Sequence, residues 1–259
     1  MSAKTLTHIV PALRPQNNSA GDYALNLALE LRKSYGVQSQ FIVCDPERSG
    51  NGRVEDFVVQ RLRVRNEAGI WSLLASVKNQ RPPVLLHYCA YGYHKQGVPH
   101  WLYQGIKSWL DEYNGADAGS EKQLMTVFHE TFPETSKPWK KEFYLRIPQQ
   151  RLLQKFHRRS KLSVTGSRNL QALLDSVEPH KSVLSPTSGS ASFRNEQTPD
   201  WKSIARQYQA ELFPQLVNAK AGVKPDKAAV EEVKERMAPA NALDFRAVES
   251  STRIRPRLA

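Results

Sequence analysis

Short apolar, β-branched runs recur from Thr5 to Val177, separated by amphipathic stretches of helical period. That alternation restricts the chain to an α/β fold built on a parallel sheet. Thr5 to Leu13 (TLTHIVPAL) reads as a first strand. After the polar loop Arg14 to Ala20, Gly21 and Asp22 open a helix for which Asp22 is the expected N-cap. Ala24, Leu27, Ala28 and Leu31 repeat at helical spacing up to Tyr35, and Gly36 stops the helix as a C′ glycine would. Gln40 to Asp45 is the second strand. The resulting β-loop-α-β unit favours parallel pairing and a right-handed crossover.

The pattern continues with a strand over Phe57 to Val64 and a short helix over Ile70 to Val77. Pro83 to Cys89 is a near-continuous apolar run, as a central parallel strand requires. His100 to Trp109 is a helix with Trp101, Leu102, Gly105, Ile106 and Trp109 on one stripe, and Leu124 to Glu130 is another buried strand. Glu142 to Arg158 reads as a long, basic-faced helix interrupted at Pro148. Leu162 to Gly166 is the expected last strand and Asn169 to Val177 the last helix of the domain. These elements predict one Rossmann-like domain over residues 1–177, with a mainly parallel sheet of about six or seven strands and helices on both faces.

Residues 178–199 are rich in Ser, Thr and Pro without a period, and read as a linker. Asp200 to Leu216 returns as an amphipathic helix, with Trp201, Ile204, Ala205, Tyr208, Leu212 and Phe213 on one face and Thr198 and Asp200 as capping signals. It is expected to pack back on the domain. Residues 217–259 read as a polar, partly disordered tail, with one weak helical patch from Asp226 to Met237. Hydrophobic residues are 40% of the 259 and thin out after Val177, enough for one core and not for a second.

The formal net charge is +12, which points to an anionic partner: nucleic acid, an acidic membrane surface or a phosphorylated substrate. Charge alone does not choose, and an ordinary basic protein remains open. No nucleic-acid recognition motif is present, so no specific nucleic acid is expected. The only cysteines, Cys44 and Cys89, form neither a disulfide framework nor a zinc spacing and read as buried free thiols. No signal peptide follows Met1, and no stretch approaches the ~18 apolar residues of a spanning helix. The expectation is a cytoplasmic protein, with peripheral contact at the inner membrane face as a further option.

Four segments carry candidate chemistry. The loop entering the first helix, with Asn18, Gly21 and Asp22, suits anion binding at a helix start, though a plain capped turn explains it equally. LHYCAYGYHKQGVP (86–99) gathers His87, Tyr91, Tyr93 and His94 at a strand end, where aromatic and polar side chains suit a sugar or a base. His87 could equally complete the core. TVFHETF (126–132) sets His129 beside Glu130 at another strand end, where the pair could move a proton near neutral pH. The basic stretch with Lys137, Lys140, Lys141, Arg146, Arg151, Lys155, Arg158 and Arg159 could lie on an anionic membrane, bind nucleic acid or form a solvated face. These considerations place Gly21, Tyr91, Tyr93 and His129 around one cleft at the C-terminal edge of the sheet.

Together the GDYALNLALELR helix, the FIVCDP strand end, the LLHYCAYGYHKQGVPHWL block and MTVFHE resemble the N-terminal, acceptor-side domain of family 4-type GT-B glycosyltransferases, in particular bacterial and cyanobacterial members. The resemblance covers Thr5 to Val177. It implies that the loop containing Gly21 lies near the phosphates of a nucleotide-sugar, and that His129 faces the cleft and touches the donor sugar, with His-Glu where the family often has His-Asp. The family's second Rossmann domain, which holds the nucleotide, would follow Val177. Here the linker leads directly to DWKSIARQYQAELF, which resembles the family's closing helix. The implied function is the acceptor-side half of a glycosyltransferase that uses a nucleotide-sugar only with a separate donor-binding domain or subunit, acting on a glycan or lipid-linked acceptor. The alternative is an inactive protein that binds a glycan, a lipid or a partner enzyme. No metal or other cofactor is implied.

Overall fold

A computed structural model describes residues 4–14, 18–46, 50–77, 82–116, 124–129, 141–187 and 199–213. The strands are β1 (Thr5–Val10), β2 (Gln38–Val43), β3 (Gly52–Val54), β4 (Phe57–Arg61), β5 (Val84–Tyr88), β6 (Leu124–Phe128), β7 (Leu162–Thr165) and β8 (Ser182–Leu184). The helices are α1 (Ser19–Tyr35), α2 (Glu67–Ser76), α3 (Ala90–Tyr93), α4 (His100–Ala116), α5 (Lys141–Arg159), α6 (Arg168–Asp175) and α7 (Trp201–Leu212). All eight strands form one sheet in the order β3-β4-β2-β1-β5-β6-β7-β8. Every pairing is parallel except the β3–β4 hairpin at one edge. This is a single Rossmann-like α/β domain, and its strand order reverses direction between β1 and β5.

Alternation along the strands sorts the core into two layers. Ile9, Ile42, Leu86, Tyr88 and Phe128 point to one face, where they pack with Leu102, Ile106 and Trp109 of α4 and with Leu152 and Phe156 of α5. Val10, Phe41, Val43, Phe57 and Val59 point to the other, against Ala24, Leu25 and Ala28 of α1. Gly105 lets α4 come down on α2, because a methyl there would run into Ile70 and the Glu67 carbonyl. α7 lies along α1 and buries Ile204, Ala205 and Tyr208, which is the return expected of that amphipathic face. The Asp200 side chain accepts from the Ser203 amide and caps it.

Several boundaries differ from the sequence reading. The N-cap of α1 is Asn18, whose Oδ1 accepts from the Gly21 amide at 2.9 Å, and not Asp22. Asp22 sits in the first turn and pairs with Arg14 at 2.7 Å, near the positive end of the helix dipole. α5 runs through Pro148 without a break. The ring removes one rung of the helix, on a stretch exposed at Arg146 and Ile147, where water can replace the lost bond. Residues 182–184, expected in the linker, add the eighth strand in parallel register with β7. Tyr91 to Tyr93 form the short helix α3 rather than a loop. Cys44 is buried as expected, whereas Cys89 is only partly so, and both are free thiols. Thr198, the rest of the linker from 188 and the tail from 217 lie outside the described residues. No helix among the described residues is long and apolar enough to cross a membrane.

Candidate functional site

The α1 face of the sheet carries polar groups in its middle. His8 of β1 stands opposite Phe41 of β2. His87 lies two residues beyond the position in β5 that opposes His8, and His129 lies two beyond the position in β6 that opposes His87. Each strand therefore sets its imidazole one pleat closer to the C-terminal edge, and the three rings form a diagonal row. His8 Nδ1 is 3.1 Å from His87 Nε2, and His87 Nδ1 is 3.0 Å from His129 Nε2. The row ends in β2, where His8 Nε2 meets Ser39 Oγ at 3.2 Å. Phe41 stacks on His8 with 4.8 Å between centroids, and Phe57 of β4 meets Phe41 edge-on. Five adjacent strands thus contribute one ring each.

All three imidazoles are buried, His129 at 3% exposure and the other two at 0%. Burial holds His8 and His129 at about 3, far below the ordinary histidine value. His87 is driven well below that value by burial first, then by its two imidazole neighbours. A neutral imidazole has one N–H and one bare nitrogen, so each N···N contact needs all three rings to donate in the same direction. One added proton on His87 would still leave a single hydrogen in each contact. A second would force two hydrogens into one gap of about 3 Å.

Tyr23, in the first turn of α1, closes the row from above. Its ring meets His129 edge-on at 5.0 Å and Trp201 of α7 at 5.2 Å. Its hydroxyl donates to Tyr208 at 3.3 Å. Burial raises both phenols, so neither ionises near neutrality. Two residues before Tyr23, Gly21 is pressed against the start of the first β–α connection, where a methyl would collide with the Ala12 carbonyl. The N-terminal turn of α1 therefore holds Tyr23 over His129.

The residues expected to share one cleft have different surroundings. His87 and His129 are hydrogen-bonded together, and the first turn of α1, which begins after Asn18 and includes Gly21 and Asp22, reaches them through Tyr23. Tyr93, expected on the rim, is instead core. Its hydroxyl sits 2.9 Å from the His87 carbonyl and 3.2 Å from the Ile9 carbonyl, where β1 and β5 diverge and no longer satisfy each other. The chain itself thus bridges the point between β1 and β5 at which open α/β sheets commonly bind ligands. Tyr91 faces outward and accepts from Gln149 of α5 at 3.0 Å. His94 Nδ1 accepts from the Gln96 amide.

Along α5, Arg146, Arg151, Lys155 and Arg158 are exposed, while Arg159 pairs with Asp111 of α4. Lys141 opens that helix. Glu130, Lys137 and Lys140 lie outside the described residues. Two members of the site escaped the sequence reading: His8, whose only signal was a lone imidazole in an apolar strand, and Tyr23, which the helical period marks simply as α1.

The row predicts an acid-sensitive fold. His8 and His129 are neutral when folded and take up a proton below the ordinary value of about 6.5 when unfolded, so the contribution of each is complete above that pH and falls away as the pH drops toward about 3. Denaturant titrations should show up to about 2 kcal/mol lost per histidine between about pH 7 and pH 5. His8→Phe keeps the ring stack and removes one imidazole, so its loss over that interval should be smaller by about one such increment. An unchanged pH dependence would show that His8 is not held neutral. The sequence matches no protein-family model and no curated protein at a significant level.

Proposed function

We propose that the chain is the acceptor-side half of a GT-B-type glycosyltransferase, working with a donor-binding domain carried on a separate polypeptide. The observation that carries this reading is His129 at the C-terminal end of β6, one hydrogen bond from His87, with the start of α1 and the returning helix α7 meeting over it. In such an enzyme His129 would contact the donor sugar, and the acceptor would lie on this domain. Departure of the nucleotide diphosphate needs fixed positive charge in a site closed to water, which the second half would supply.

A second reading, a glycan- or lipid-binding protein without catalysis, is favoured by one observation: His129 is buried, with the Tyr23 ring against it and Trp201 packed on Tyr23. Turnover separates the two. The isolated chain is expected to be inactive against a panel of nucleotide-sugars, and addition of the donor-binding polypeptide should produce transfer. His129→Ala should then lower the rate by roughly a hundredfold, while Arg53→Ala on the β3 edge leaves it within about twofold. Robust transfer by the isolated chain would overturn the two-polypeptide reading. Acceptor binding without transfer, with the partner present, would favour the second.

The same reading includes peripheral contact with an anionic membrane through α5. Tyr144, Ile147, Arg151, Lys155 and Arg158 fall on one helical stripe, and all five are exposed, Tyr144 at 69% and Ile147 at 58%. An exposed stripe of cations with two apolar side chains at one end suits contact with an anionic surface. Three cations at about 1 kcal/mol each before screening give more than a hundredfold preference for an anionic surface. The protein should float with anionic liposomes at low salt and not with neutral ones, and Arg151→Glu/Lys155→Glu should abolish flotation. Equal binding to both liposomes, or to neither, would remove the membrane from the account.

A further inference from the structure

At the β4 end of the sheet lies a groove of about 570 Å³ that the candidate site does not use. It opens at the C-terminal edge, bounded by the end of β4 and the segment that follows it, by Gly50 and Asn51, and by the first turns of α2. Its size is that of a small-molecule pocket. Arg61, the last residue of β4, and Arg63 both line it, and none of its described lining residues is acidic. Among the described residues, neither guanidinium meets a carboxylate. The nearest acid on α2, Glu67, is turned away and accepts from Ser108 of α4.

The helix start is not the source of the groove's charge, because Asn66 already caps the Gly69 amide at 2.7 Å. Arg65, two residues beyond Arg63, is committed elsewhere. It donates to the Cys44 carbonyl at 2.9 Å and reaches the Gly92 carbonyl, which fixes the segment carrying Arg63 against the end of β2. The groove therefore has a braced wall, two arginines and an apolar floor of Leu62, Val64 and Leu73. Val64 is 59% exposed, so its side chain is accessible from the groove.

We propose that this groove binds a small phosphorylated organic molecule, with its phosphate between Arg61 and Arg63 and its apolar body on Leu62, Val64 and Leu73. Arginine suits the planar, two-point contact that phosphate offers, and the apolar floor distinguishes an organic phosphate from the inorganic ion. The chemistry of the groove is independent of any sugar transfer at His129.

Calorimetric titration of the full chain tests this with phenyl phosphate, inorganic phosphate and phenyl glucoside. Phenyl phosphate is expected to bind at least about tenfold more tightly than inorganic phosphate, and phenyl glucoside not to bind. Arg61→Gln/Arg63→Gln should weaken phenyl phosphate at least about tenfold with an unchanged circular-dichroism spectrum. Arg53→Gln and the α5 variant Arg151→Gln/Lys155→Gln should bind as the parent does. Leu73→Asn, which leaves both arginines in place, should reduce the preference over inorganic phosphate. On vesicles of phosphatidylcholine with phosphatidic acid, protein held by a lipid phosphate in the groove should be released by phenyl phosphate, whereas protein held through α5 should stay bound. Binding that survives loss of both arginines, or that falls equally in the α5 variant, would overturn the proposal, as would no binding of phenyl phosphate.

Discussion

Three histidines side by side in the middle of a buried sheet leave the fold little choice about what surrounds them. Each ring nitrogen withdrawn from water has to find a partner, and an isolated buried imidazolium is too costly to keep. The solution here is mutual. His8, His87 and His129 satisfy one another along a diagonal that starts at Ser39, and the rings continue the aromatic row begun by Phe57 and Phe41. The arrangement depends on strand register. A slip of one residue between β1 and β5 would send His87 to the opposite face and break both contacts.

The covering helices follow from that requirement. α1 brings Tyr23 over the end of the row, and α7 seals it with Trp201 and Tyr208. On the opposite face the large side chains are conventional, with Trp109, Phe156 and Tyr88 in one continuous cluster. The polar network thus shares its side of the sheet with the smaller apolar layer around Val10, Phe41 and Phe57, and the larger cluster fills the other side. Tyr93 bridges the diverging ends of β1 and β5. Toward β4 the C-terminal edge carries the groove lined by Arg61 and Arg63.

Much of this architecture was legible in the sequence, because hydrophobic period reports on burial. The runs at Thr5, Gln40, Pro83 and Leu124 gave the central strands, and the face of α7 announced its own docking. The edges were less legible. β3 and β8 are three residues each, too short to carry a period, and β8 sits in a segment whose composition resembles a linker. The N-cap of α1 was misread because Asn18 and Asp22 are both good caps, and only geometry shows which side chain reaches an amide. The site was legible only in part. His87 and His129 stood out as polar residues at strand ends, but their link to His8 depends on a two-residue stagger between parallel strands that no single strand's sequence encodes. The groove has no signal in the sequence, because Arg61 and Arg63 belong to no motif and meet the start of α2 only in the fold.

The central claim is a neutral, mutually bonded imidazole row, and the ring nitrogens report on it directly. Nitrogen-15 NMR of the imidazole side chains distinguishes a bare nitrogen, an N–H and the doubly protonated ring. Between about pH 7 and pH 5, where an ordinary histidine titrates, His8, His87 and His129 should each keep one N–H and one bare nitrogen, with the N–H on the same side of all three rings. A spectrum in which any of the three becomes an imidazolium near the ordinary histidine value, while the protein stays folded, would contradict the row.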